Sequence, residues 1–113
     1  MEKHLVIIKS NAVAGREADY EAWYNNIHLG EVLQVPGFLT GQQYRTPPSP
    51  DGSPPSHSHT AVFEVESDDI TATLTQLGEE FASGRMTATD ALDTNTAPES
   101  VVMLPTGARQ QAA

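Results

Sequence analysis

The order of the periodic segments is the feature that most constrains how this chain folds. A helical period runs through residues 17–35, and Gly30 predicts a break after His28, with residues 29–35 as a separate short turn of helix; a second helix covers residues 67–84. The segments with strand character are residues 4–10, 38–46, 57–66 and 99–104. The predicted order is therefore β-α-β-β-α-β.

This order matches the split βαβ, or ferredoxin-like, arrangement: an α+β fold with both helices on one face of a four-stranded antiparallel sheet. A chain of 113 residues forms one domain, which we assign to residues 1–106, followed by a flexible tail at 107–113. The first and last strands are apolar on both sides, so a lone monomer would expose one face. An identical sheet is the simplest cover, and we predict a homodimer.

Charge and composition exclude several classes of partner. The formal net charge is −9, from 15 acidic and 6 basic residues, which argues against nucleic acid and anionic membrane surfaces. The absence of cysteine excludes disulfides, thiolate zinc sites and cysteine nucleophiles. Neither a signal-peptide pattern nor a run of membrane-spanning length is present, so we expect a cytoplasmic protein.

An aromatic face marks the first helix. At helical spacing one side collects Tyr20, Trp23, Tyr24, Ile27, His28 and Glu31, which include the only Trp and two of the three Tyr. Tyr and Trp carry polar tips that need partners when buried. Two interpretations remain open: a wall of a cavity for a planar guest, or a core helix whose hydroxyls reach solvent.

Further polar candidates lie on the strands and loops. His57 and His59 share one strand face, which is half of a metal site at most, so we predict no metal and treat His59 as a second pocket base. Alternation puts Phe38, Thr40, Gln42 and Tyr44 on one side of the second strand, where Tyr44 and Gln42 supply polar contacts. Asp90 is either a carboxylate that orients an imidazole or a surface acid. The proline-rich residues 47–56 form a hairpin loop, as a spacer or as a pocket lid.

The stretch Tyr20-Glu21-Ala22-Trp23-Tyr24-Asn25-Asn26-Ile27-His28-Leu29, followed by Val35-Pro36-Gly37-Phe38 and Tyr44-Arg45, resembles the dimeric α+β barrel superfamily, in particular its EthD-like branch. The resemblance implies a homodimer with a pocket between each sheet and its helices, into which His28 points. The superfamily includes cofactor-independent polyketide cyclases, quinone-forming monooxygenases, isomerases, lyases and haem-degrading proteins, and the fold does not choose among them. The insert at 47–56 departs from the pattern.

From the residues and the resemblance together, we expect a cofactor-independent enzyme of cyclase, dehydratase, isomerase or oxygenase type. Its substrate is an aromatic or polyketide-like carbonyl compound, and His28 is the acid–base catalyst with Tyr24 in support. The predicted substrate contacts are Tyr20, Trp23, Tyr44, His59, Gln42 and Asp90. Haem ligation by His28 is less favoured, because the acidic chain offers few cations for the propionates. The alternative is a non-enzymatic binding or accessory protein that uses the same pocket.

Overall fold

The structure, a computed structural model, describes residues 2–113. Its elements are strand β1 (Glu2–Ser10), helix α1 (Glu17–Trp23), a π-helical turn (Tyr24–His28), helix α2 (Leu29–Val32), strands β2 (Phe38–Arg45) and β3 (His59–Ser67), helix α3 (Ile70–Ala82) and strand β4 (Glu99–Met103). All strand pairs are antiparallel, in the order β2-β3-β1-β4. The predicted ferredoxin-like fold class is confirmed. No helix within residues 2–113 is long and apolar enough to cross a membrane.

One face of the sheet carries the core. Every second residue of β3 is buried, and Val6 of β1 lies opposite Phe63 in the same layer. Tyr20, Tyr24 and Val32 of the first helical segment and Leu77 of α3 belong to the same buried cluster. Burial of these apolar side chains is what holds both helices on this face.

The helical segment changes after His28, where the sequence predicts a break: the π-helical turn ends at His28, and the separate short helix α2 follows from Leu29. Gly30 lies inside α2 with no unusual backbone angle. The irregularity comes earlier, where the Leu29 N–H donates to the Tyr24 carbonyl in an i→i+5 bond, which is a π turn. Helical spacing places both Ile27 and His28 on the aromatic face, and in the structure only His28 of these two is turned inward. His28 is 4% exposed and Ile27 is 40% exposed.

A bulge near the start of β2 decides which of its residues reach the helices. The register shifts between Phe38 and Thr40, so Phe38 is buried while the later residues change sides. Gln42 lies opposite Val62, and Tyr44 lies opposite Thr60, both on the face without helices. The prediction that Phe38, Gln42 and Tyr44 share one side is therefore wrong.

The proline-rich loop between β2 and β3 is closed by its own hydrogen bonds. The Thr46 N–H donates to the Ser58 carbonyl at its base (2.8 Å), and the Ser49 N–H donates to the Ser53 carbonyl near its tip (2.9 Å). Gly52 has a φ of 84°, which suits the tight turn between these residues. The tip residues are exposed, so the loop projects away from the core.

Candidate active site

A cavity of about 450 Å³ lies between the sheet and the helices. The side chains that line this cavity are mostly apolar, with a few hydroxyls and one imidazole. The residues are Val6, Ile8, Ser10, Tyr20, Trp23, Tyr24, His28, Leu74, Leu77, Gly78, Phe81, Leu92, Pro98 and Ser100. This size and this composition are typical of small-molecule sites, whose volumes run from about 300 to 1,000 Å³.

The four aromatic-helix residues Tyr20, Trp23, Tyr24 and His28 come together on one wall. The Trp23 and His28 rings are stacked, with centroids 4.5 Å apart and planes 15° apart. Tyr24 meets the His28 ring edge-on at 4.8 Å, and Phe81 of α3 lies 5.1 Å from it. Each ring therefore restrains the next, so the imidazole is held in one orientation.

His28 is a buried and incompletely bonded imidazole. Burial lowers the pKa of His28 to about 4, although the nearby Glu31 carboxylate acts in the opposite direction. In the described part of the chain no group hydrogen-bonds its Nδ1, which is buried. Glu31 itself accepts from the N–H and hydroxyl of Thr87. His28 is thus neutral at pH 7, which differs from the near-neutral titration that the sequence suggested.

The two tyrosines keep their protons. Burial raises the pKa of Tyr24 far above its ordinary value, and the Tyr20 ring adds to the effect. Burial also raises the pKa of Tyr20, whose hydroxyl hydrogen-bonds the Ser10 hydroxyl. Both tyrosines line the cavity and are protonated phenols rather than phenolates at neutral pH.

Ser10 and Ser100 line the cavity, and sequence reasoning missed both. Ser10 ends β1 on the same face as Val6 and Ile8, so strand alternation was the signal that pointed to it. Ser100 pairs with Ile8 across β1 and β4. No sequence pattern marks Ser100, because its place depends on the pairing of two strands far apart in the chain.

His59 lies outside the cavity, contrary to expectation, in a fully bonded network. Its Nε2–H donates to a Glu21 carboxylate oxygen at 2.8 Å, and its Nδ1 lies 2.7 Å from the Ser58 hydroxyl. Arg45 holds both oxygens of the same carboxylate at 2.7 Å. Arg45 and His59 lower the pKa of Glu21 to about 2. We call Glu21, Arg45, Ser58 and His59 the polar network.

Three other expected substrate contacts are also elsewhere. Tyr44 donates its hydroxyl to Gln42 at 3.0 Å on the face without helices, which the β2 bulge explains. Asp90 is exposed and forms an ion pair with Arg16 at 2.7 Å, so it is a surface acid rather than a partner of an imidazole. No group of three or more His, Cys, Asp or Glu arranged to hold a metal occurs within residues 2–113.

No family model and no curated protein sequence matches the chain. Several solved structures, by contrast, are similar to the chain. The haem-degrader MhuD from Mycobacterium tuberculosis, with two haems bound in its active site, is 17% identical over 95% of this chain and 99% of its own, with a TM-score of 0.67. An EthD-like protein from Ralstonia eutropha is 19% identical over 96% of both chains, also with a TM-score of 0.67.

A third similar structure is a monooxygenase from Streptomyces coelicolor in complex with the ligand nanaomycin D. It is 16% identical over 98% of this chain and 93% of its own, with a TM-score of 0.53. At such identities the likeness shows the fold and leaves the activity open. The chain therefore has the same ferredoxin-like α+β fold as these haem-degrading, EthD-like and monooxygenase structures.

Proposed function

We propose that this protein is a cofactor-independent enzyme that removes an acidic proton from an aromatic or polyketide-like carbonyl compound bound in the cavity. The observation that carries the proposal is His28, a neutral and incompletely bonded imidazole fixed by stacked rings on the cavity wall. Buried polar groups are normally bonded, so an exception at a cavity points to a function. Cyclisation, dehydration, isomerisation and oxygenation of such compounds can all begin with this step.

The low pKa of His28 limits the kinds of substrate from which it can accept a proton. A base whose conjugate acid has a pKa of about 4 is weak, so the proton that it accepts must be an acidic one. An enolisable C–H beside a carbonyl and an aromatic ring, or between two carbonyls, meets this requirement. The proton moves to the imidazole, and the enolate oxygen accepts hydrogen bonds from the tyrosine hydroxyls. Tyr24 is the nearer support, because its ring touches His28.

The cavity residues do not fit haem, the ligand of MhuD. Haem carries two propionates, and no Lys or Arg belongs to the cavity lining. The lining offers only hydroxyls and one imidazole as polar partners. An uncharged planar guest suits this wall better than a dianionic one, and the proposal routes no step through an iron.

The same low pKa favours a second candidate, a non-enzymatic protein that only holds its guest. A binder needs shape and apolar area, and an unprotonated imidazole adds one hydrogen bond to a ligand. The two candidates differ in one respect: removal of the imidazole abolishes catalysis in the first, whereas it leaves most of the affinity in the second.

Hydrogen–deuterium exchange of 2-tetralone, a two-ring ketone with acidic benzylic protons, separates the candidates without knowledge of the natural substrate. We expect the protein to bind this probe and to accelerate exchange in D₂O, as followed by NMR. His28→Ala and His28→Gln are expected to lower the acceleration by about a hundredfold, with the melting temperature of the Gln variant close to wild type.

Two results contradict the enzymatic proposal. Binding of 2-tetralone without any accelerated exchange favours the binder. A large loss of stability in His28→Ala that His28→Gln restores assigns His28 a structural role instead.

The sheet face without helices supports the second part of the proposal, a homodimer. Tyr44, Val101 and Met103 are exposed on this face, each by more than 40%. Apolar side chains of this number on a flat sheet are typical of an interface, and a second copy covers them symmetrically. Each protomer would then keep its own cavity on the far side of its sheet.

Light scattering at micromolar concentration is expected to give about twice the chain mass of 12.2 kDa. Val101→Asp places a charge in the proposed interface and is expected to yield monomers, whereas Thr71→Asp on the exposed side of α3 leaves the mass unchanged. A wild-type protein that stays monomeric overturns this part of the proposal.

A further inference from the structure

Helix α3 contributes one side of the cavity through four residues spaced one turn apart. Three are large and apolar, and the fourth has no side chain: Leu74, Leu77, Phe81 and Gly78. Among these four residues, only Gly78 has no side chain to fill the cavity wall. Glycine is disfavoured inside a helix relative to alanine, so its presence there calls for a physical reason.

Neither backbone conformation nor packing supplies that reason. Gly78 is not among the glycines with positive φ, so any L-residue can adopt its backbone. A methyl group added at Gly78 would meet no other atom within 4 Å. By contrast, a Cβ added at Gly41 would lie 2.7 Å from a ring carbon of Phe63, so Gly41 could not accept a side chain without movement. A side chain at Gly78 would therefore extend into open space at the cavity.

Gly78 also lies at the mouth of the cavity. It is exposed and lines the cavity at the same time, as does Phe81 one turn later, which is 47% exposed. A residue that both faces solvent and lines a cavity belongs to the opening. Pro98, just before β4, and Ser100 within it also line the cavity and are exposed.

We propose that Gly78 determines how long a guest the cavity admits, because its missing side chain lets the far end of the guest pass α3. This inference rests on the proposed use of the cavity for a small molecule, and it makes Gly78 a specificity-determining position. The substrate class it implies is an extended fused aromatic compound, one end of which lies at His28 while the other end passes α3 at Gly78. A smaller guest would not need the gap.

Two probes of different length test the inference by binding alone: the two-ring 2-tetralone and the three-ring 1,8-dihydroxyanthraquinone. We expect Gly78→Leu to weaken binding of the three-ring probe by about tenfold or more and to leave the two-ring probe within about twofold. Gly78→Ala is expected to have a smaller effect in the same direction. It also raises the melting temperature by about 3–6 °C, because alanine is the better helix former.

Gly30→Ala is the matched control. Gly30 is likewise an exposed helical glycine with open space beyond its Cα, but it does not line the cavity. The control is expected to stabilise the protein without changing either affinity. If Gly78→Leu binds both probes as wild type does, the inference is overturned.

The inference and the proposed function fail in different ways. If wild type binds both probes but His28→Gln leaves the exchange rate unchanged, proton transfer by His28 is excluded. The measured affinities of the Gly78 variants then still decide the length selection at Gly78. If wild type binds neither probe, both proposals are overturned together.

Discussion

Two buried histidines on opposite parts of the same layer show how differently one fold treats an imidazole. His59 belongs to the polar network, where both ring nitrogens have a partner within 2.8 Å. His28 lies on the cavity wall, stacked on Trp23, with Nδ1 buried and unbonded in the described chain. Exposure does not separate them, since His59 is 1% and His28 is 4% exposed. The two histidines differ instead in the hydrogen bonds of their ring nitrogens.

The difference assigns each histidine its task. A buried imidazole with complete partners stabilises the fold, since loss of any partner strands another polar group. A buried imidazole without complete partners costs stability and is retained where a ligand completes its bonding. The polar network is therefore structural, and the wall at His28 is the candidate site.

Replacement of each histidine by phenylalanine is the strongest test of this contrast. His59→Phe keeps the ring but removes both of its hydrogen bonds, and we expect a loss of about 3 kcal/mol in the free energy of unfolding. The Ser58 hydroxyl then keeps the Ala12 N–H, and the Glu21 carboxylate keeps Arg45. His28→Phe keeps the stacking and removes an unbonded polar atom, so its loss is expected to stay below about 1 kcal/mol. Urea unfolding measures both, and equal losses would contradict the contrast.

The pH dependence of stability separates the two regions by their titration windows. The pKa of His28 falls from 6.5 to about 4 on folding, so the unfolded chain binds the proton first as pH drops. Stability from His28 is complete above about pH 6.5 and is lost progressively down to pH 4. We expect wild type to lose about 2 kcal/mol more than His28→Phe between pH 7.5 and pH 5.

Glu21 titrates in a lower window. Its pKa falls from 4.5 to about 2 on folding, so the stability it adds is present above about pH 4.5 and disappears toward pH 2. Glu21→Gln is therefore expected to flatten the acid limb below pH 4.5 and to leave the limb between pH 6.5 and 5 unchanged. A variant pair whose two limbs change together would show that the regions are not independent.

The sequence predicts local features of this contrast and misses those that depend on distant pairing. Tyr20, Trp23 and Tyr24 lie one turn apart on a helix, so their common wall follows from spacing alone. The same spacing places His28 on this wall, but it does not predict the π turn or the exposure of Ile27. Glu21 and His59 are 38 residues apart, and only the packing of α1 on β3 brings them together.

Gln42 and Tyr44 show that a single β-bulge is enough to make a sequence-based prediction of the sheet face wrong. One bulge between Phe38 and Thr40 moves every later side chain of β2 to the other face. Gly37 and Gly41 flank this point, and a glycine inside a strand is compatible with a bulge, but neither shows at which residue the register shifts. Strand alternation therefore identified β2 and its period but not the face on which its polar residues lie.

The smallest effect is expected for the proline-rich loop, which begins where the polar network ends. Its tip bonds are internal, and only its base is tied to the domain, through Asn11, which bonds Ser56 and Ser58. Replacement of residues 48–55 by Asp-Gly keeps that base and shortens the connection, and loop closure depends only weakly on length. We expect the free energy of unfolding to change by less than about 1 kcal/mol and both probes to bind as before. A larger loss of stability would mean that the loop, and not only the polar network, holds this end of the sheet; lost probe binding in a folded variant would make the loop a lid.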